Sequence, residues 1–178
     1  MNIVVAALPP LAVLPIPSVD CRADIVFVVD EAGSISSSVF SVVMSFLSQV
    51  VSRLDIDTGN TRVALVTYSR YTRVAFNLNA HSSIKSVLSA ISSVSHNSAS
   101  SLETAAAFDY VRTRMLTSAA GDRHNVRNIV VFVTDAGEVL SYQLIKAMVS
   151  IEFIVLFIAL YLLSVGRVIR YFVKTIVV

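Results

Sequence analysis

Ala23 to Ser36 reads ADIVFVVDEAGSIS. From Asp24 to Asp30 the run is β-branched and aromatic and ends on a carboxylate. A run apolar on both faces predicts a central parallel strand, covered on each side. Gly33 permits a tight turn, and Ser34 to Ser38 supply candidate helix N-caps. A strand, a turn and a helix start therefore follow each other within a few residues.

The downstream pattern repeats this alternation. Val39, Phe40, Val43, Phe46, Leu47, Val50, Val51 and Leu54 recur at helical spacing and predict one apolar helix face. Thr61 to Ser69 reads as a second buried strand. Thr72 to Leu78 reads as a third, with Val74, Phe76 and Leu78 alternating against polar neighbours. The short Arg70-Tyr71 link makes these two runs a hairpin. Helices are expected over Ser83–Val94 and Leu102–Leu116, the latter using Ala106, Phe108, Val111 and Met115. A buried strand is expected from Asn128 to Thr134, just before Asp135. The expected class is α/β: an open, Rossmann-like, mostly parallel sheet with one antiparallel hairpin strand, helices on both faces, and a C-terminal hydrophobic helix. Ligands on such sheets bind beyond the carboxyl ends of the strands, where Asp30 and Asp135 both fall.

The ends differ in kind from the middle. The chain has 178 residues, 55% of them hydrophobic and 15% charged, and the apolar excess is concentrated at the termini. Residues 1–20 read as a secretory signal or a Pro-rich leader, because Pro9, Pro10, Pro15 and Pro17 interrupt the apolar stretch. Residues 21–146 read as the folded domain, and 147–178 as a hydrophobic tail. Between Ala147 and Gly166 the only charge is Glu152, and Arg167, Arg170 and Lys174 follow. That pattern fits a single-pass membrane span with a cytosolic C-terminus. The alternative is a buried core helix followed by a strand.

Several function classes are disfavoured. A net charge of +2, with scattered Lys and Arg, gives no nucleic-acid surface. The single cysteine, Cys21, allows neither an internal disulfide framework nor a Cys-based zinc site. His81, His96 and His124 fall in expected loops without ligand spacing and read as solvated surface residues. No nucleophile elbow or phosphate loop is present. A metal-dependent phosphohydrolase built on Asp30 would want a second carboxylate at position 32, where Ala32 stands. Asp30, Ser34 and Asp135 could share a hard cation such as Mg²⁺, which prefers oxygen ligands. A strand-end Asp can equally serve as a cap or loop staple.

Taken in order, Ala23–Ser36, Thr61–Asn79 (TRVALVTYSRYTRVAFNLN), Ala106–Arg112 (AAFDYVR) and Asn128–Asp135 (NIVVFVTD) resemble the von Willebrand factor type A domain of matrix and adhesion proteins such as collagen VI and the matrilins. The resemblance implies an extracellular protein-binding module and not an enzyme. Its partner would be a matrix or cell-surface protein. It further implies a metal-ion-dependent adhesion site for Mg²⁺ or Mn²⁺, in which a partner's acidic group completes the shell. Asp30 matches the first carboxylate, Ser34 the second serine and Asp135 the late carboxylate. Ala32 stands at the first serine, Leu102 at the threonine and Ala136 at the glycine after the late aspartate, so the site is degenerate and its metal binding weak. Ser101 or Thr104 are possible helpers. The family's last strands are not recognisable after Asp135. The domain therefore reads as truncated at its C-terminus. Val149-Ser150 could be encoded by the start of a retained intron, which leaves a non-functional isoform with a read-through tail as the alternative.

Overall fold

The computed structural model describes residues 21–134 in full and the backbone of strands 154–162 and 169–177. The leader expected over residues 1–20 lies outside the described residues, as do Asp135 and Ala136. The elements are β1 (Ala23–Asp30), α1 (Ser37–Val51), β2 (Thr61–Tyr68), β3 (Thr72–Phe76), α2 (Ile84–Ser92), α3 (Thr104–Tyr110), β4 (Arg127–Thr134), β5 (Ile154–Leu162) and β6 (Ile169–Val177). They form a six-stranded sheet of order β3-β2-β1-β4-β5-β6. β1 runs parallel to both β2 and β4, and β5 runs parallel to β4. The edge strands β3 and β6 are antiparallel to their neighbours.

The central strands sort their side chains by parity. Ile25, Phe27, Val29, Val63, Leu65, Val131 and Val133 face a core shared with α1 and α2. Val26, Val28, Ala64, Val66, Tyr68, Val130 and Phe132 face a second core shared with α3. Both faces are thus covered, which is why β1 tolerates no polar residue between Asp24 and Asp30. On the second face Phe132 stacks on Phe108 at 5.7 Å and meets Tyr68 edge-on at 6.0 Å. Each large side chain buried this way contributes roughly 1.5–3 kcal/mol.

Serines set the helix starts. Ser36 caps α1, its hydroxyl accepting from Val39 N at 3.3 Å. Ser83 caps α2 in the same way through Ser86 N. The helix expected over Leu102–Leu116 is shorter and irregular. α3 covers about two turns, then a single π turn from Val111 to Met115 carries the chain on. Ala107, not Ala106, takes the buried position.

Four expectations are corrected. The hairpin forms as expected, but Val74 and Phe76 do not share a face. Leu65 pairs with Phe76 and Val66 with Val74, so Ala75 is an extra residue in a bulge. The bulge flips the alternation, sending Phe76 to the α1/α2 core and Val74 to the α3 core. The expected C-terminal hydrophobic helix is replaced, over 154–162 and 169–177, by the paired strands β5 and β6. Ile154–Leu162 lies alongside Ile129–Thr134 as an interior strand of the sheet. A short apolar run has the same composition as a buried helix and a buried strand, and only pairing tells them apart. The membrane anchor expected over 147–166 finds no support: no helix among the described residues is long and apolar enough to cross a membrane. Finally, two of the three histidines are not simply solvated. His96 packs 5.0 Å from Phe40 and its Nδ1 meets Ser37 Oγ at 3.1 Å; His81 packs edge-on against Phe76.

Candidate functional site

Strand order reverses between β1 and β4: β1 leads on to β2 on one side, and β4 lies on the other. In open α/β sheets, ligands bind beyond the carboxyl ends of the strands at such a reversal. Asp30 ends β1 and Thr134 ends β4, and the chain passes directly from Thr134 to Asp135.

Asp30 is fully buried. Its Oδ1 accepts from Ala32 N at 2.8 Å, and its Oδ2 accepts from Thr134 Oγ1 at 2.8 Å. These two bonds tie the ends of the neighbouring strands and form the turn into residues 32–34. Ser34 lies exposed on that turn. The loop between α2 and α3 closes over it. Ala99 forms a parallel bridge with Ala32, and Gly33 N donates to Ala99 O at 2.8 Å. Ser101 follows two residues later, half-buried, and Thr104 opens α3. The hairpin tip joins the same end of the sheet. Glu31 N donates to Tyr68 O, and Glu103 N donates to Ser69 O, each at 2.9 Å. Tyr71 projects from this tip 73% exposed, with the Arg70 guanidinium 5.5 Å from its ring centre.

Glu31 is a buried residue of this candidate site that the sequence pattern did not single out. It is only 2% exposed. Its Oε1 accepts from Thr67 Oγ1 at 2.9 Å; its Oε2 accepts from Arg73 Nη2 at 2.9 Å and Asn97 N at 3.2 Å. Arg73 Nη2 also donates to Ser95 O at 2.8 Å. The available signal was a second carboxylate immediately after Asp30, at the mouth of a buried strand, with an arginine on the following hairpin.

The oxygen donors among the described residues do not make up a complete divalent-cation shell. Mg²⁺ wants near-octahedral oxygen coordination. The Ala32 methyl is buried where the resemblance places a serine hydroxyl. Leu102 packs against the α3 core where it places a threonine. Asp30 has both carboxylate oxygens engaged by protein donors. Among the described residues no group of three or more His, Cys, Asp and Glu side chains is arranged to hold a metal ion. Of the matched ligands, Asp30 and Ser34 lie within the described structure and Asp135 outside it.

At the opposite end of the sheet a second buried carboxylate is structural. Asp24 is fully buried and accepts from Arg123 N and Arg123 Nε, each at 2.8 Å. The same guanidinium donates to the carbonyls of Ala23, Gly59 and Asn60. It fastens the start of β1 to the loops before β2 and β4.

Comparison with known proteins agrees with this architecture. A family model described as the von Willebrand factor type A domain matches residues 24–156. The chain is 36% identical to mouse matrilin-1 over 121 residues, covering 65% of this chain and 24% of that protein. It is 33% identical to mouse integrin alpha-X over 147 residues, covering 81% of this chain and 12% of that one. It is 32% identical to the collagen alpha-1(XII) chain of Notophthalmus viridescens over 127 residues, covering 68% and 14%. The chain thus spans a quarter or less of these relatives. Among solved structures, proximal thread matrix protein 1 from the mussel byssus superposes with a TM-score of 0.67 at 20% identity, covering 78% of this chain and 36% of that one. That mussel protein has also been solved with zinc in its MIDAS motif, at 19% identity to this chain.

Proposed function

The chain belongs to the von Willebrand factor type A domain family, and from that premise we propose that it is an extracellular protein-binding module rather than an enzyme. Its partner is a matrix or cell-surface protein, in keeping with relatives that are matrilin, collagen and integrin chains. Contact is made at the carboxyl end of the sheet, through the 31–34 turn, the 95–104 loop and the hairpin tip. Ala32, at position 32 where a phosphohydrolase would carry its second carboxylate, supports the non-enzymatic reading.

The observation that carries the proposal is the strand-order reversal at β1/β4, at whose carboxyl end the 31–34 turn, the 95–104 loop and the hairpin tip meet. Beside it stands Tyr71, a large exposed ring braced by Arg70. Tyr and Arg are the side chains that most often dominate a protein interface. The metal-ion-dependent site of the family is degenerate here. Asp30, Ser34 and Asp135 supply too few oxygens, so any Mg²⁺ or Mn²⁺ binding is weak and partner binding does not depend on it.

The test is surface-immobilised full-length chain exposed to a panel of purified extracellular-matrix proteins, with EDTA and with Mg²⁺. The expected result is binding to at least one protein in EDTA. Tyr71→Ala should weaken it about tenfold or more, as the loss of an interface anchor does. Binding that appears only with Mg²⁺ overturns the metal-free mechanism. Binding to none of the panel, or indifference to Tyr71→Ala, overturns the proposed face.

A further inference from the structure

The loop from Ser95 to Glu103 frames the proposed partner face, and its hydrophobic anchoring is confined to His96 against Phe40 and Leu102 against the α3 core. From Ser95 to Ser101 the only apolar side chain is the methyl of Ala99. Such a segment ordinarily samples open states at little cost. Besides the His96 Nδ1 contact with Ser37 Oγ, four hydrogen bonds fasten it here. Ser95 O accepts from Arg73 Nη2 and Asn97 N donates to Glu31 Oε2. Ala99 O accepts from Gly33 N and Glu103 N donates to Ser69 O. The first two fasteners converge on one ion pair, Glu31–Arg73, which links the end of β1 to the edge strand β3.

We infer that the Glu31–Arg73 pair is a latch that holds the 95–103 loop in its binding shape without a divalent cation. The inference deepens the proposed function and rests on it, since this loop frames the partner face. Three observations carry it. The Glu31 carboxylate is nearly inaccessible and takes donors from β2, β3 and the loop at once, so all three are drawn to one point. The hydroxyl positions that would let an ion bridge the turn to the loop are Ala32 and Leu102, whose side chains are apolar. And the loop's contact with the turn is a main-chain bridge between Ala32 and Ala99, which needs no ligand between them. Glu31 and Arg73 therefore act here as positioning residues, through the loop. Arg73 Nε is buried without a hydrogen-bond partner, while Nη2 makes both contacts. The position thus asks for one cationic donor more than for a planar fork, and a lysine should largely replace it.

The test is amide hydrogen exchange by mass spectrometry on the full chain, comparing peptides over 95–103 with peptides over β1. In EDTA the parent loop should be protected, and millimolar Mg²⁺ should leave that protection unchanged. Arg73→Gln should speed exchange in the loop about tenfold or more while β1 stays protected, the mark of local rather than global opening. Arg73→Lys should restore most of the protection. Because Arg73→Gln strands a buried carboxylate and could unfold the chain, Glu31→Gln/Arg73→Gln removes both charges and should open the loop alone. The latch is overturned if Mg²⁺ raises protection in the parent, if the double variant keeps the loop closed, or if loop and β1 lose protection together in it. No partner is present in the measurement. A latched loop on a chain that binds no matrix protein would sink the proposed function and leave the latch standing.

Discussion

Replacing Gly121 by alanine should be among the most damaging single-methyl changes in the domain. Gly121 closes the turn before β4 with φ +95°, in the left-handed region. An L-residue there costs about 1–2 kcal/mol. A Cβ at this position would also lie 2.5 Å from Asn79 N and 2.6 Å from Asn79 Cβ, closer than packed atoms approach. The obstacle includes backbone, so relief requires moving the loop after β3, an overpacking cost of roughly 1–3 kcal/mol. The sum is roughly 2–5 kcal/mol. Gly59 supplies the control. Its φ is +79° and nothing lies within 4 Å of its virtual Cβ. Gly59→Ala should therefore cost only the conformational part, about 1–2 kcal/mol. Urea denaturation of the full chain separates the two. With a slope of about 2 kcal/mol per molar, Gly59→Ala should lower the midpoint by roughly 0.5–1 M and Gly121→Ala by roughly 1–2.5 M. Equal midpoints for the two variants, with unchanged slopes, would mean that the Asn79 contact does not constrain the turn.

Three further outcomes are expected. Arg123→Met leaves Asp24 buried with one main-chain donor and removes the guanidinium donors from three carbonyls, of which Asn60 O keeps Ala23 N; the loss should reach about 3–5 kcal/mol in chemical denaturation, and a loss below about 1 kcal/mol would show the pair to be idle. Ala32→Ser/Leu102→Thr should start less stable than the parent, since Leu102 gives up core contact, but should acquire a Mg²⁺-dependent rise in melting temperature that the parent lacks. With Mg²⁺ at about a hundredfold over Kd the gain would be about 2.7 kcal/mol; silence in this variant would show the ligand positions to be wrongly matched. Asp55 is exposed, and side-chain hydrogen bonds from Thr58 and then Asn60 hold its carboxyl below the ordinary value of 3.8. Its contribution to stability is thus present above the unfolded value and lost as pH falls through the lower folded one. In a carboxyl NMR titration Asn60→Ala should move Asp55 upward, and a curve unmoved by that change would remove Asn60 from the account.

The candidate site was half legible. Asp30 announced itself as a carboxylate closing a run of buried side chains, and Gly33 and the serines after it marked a turn into a helix. Glu31 did not, because its neighbours Thr67, Arg73 and Asn97 are 36, 42 and 66 residues away in the chain. Tyr71 reads as an ordinary hairpin residue until β2 is seen to end beside β1.

Local pattern alone established the α/β class, because β1, β2 and β4 are apolar without a break over Ile25–Val29, Val63–Val66 and Ile129–Val133, and the helices between them are apolar at every third or fourth residue. It also located Asp30 at a strand end and the hairpin at Arg70-Tyr71. Strand order, the bulge at Ala75 and the strand character of Ile154–Leu162 were decided only by tertiary structure. The reason is physical. Periodicity records which faces of a segment are dry, but hydrogen-bond partners across a sheet are chosen by the whole set of neighbours competing for that edge. The same holds for a buried charge, whose meaning lies in what the fold brings to meet it.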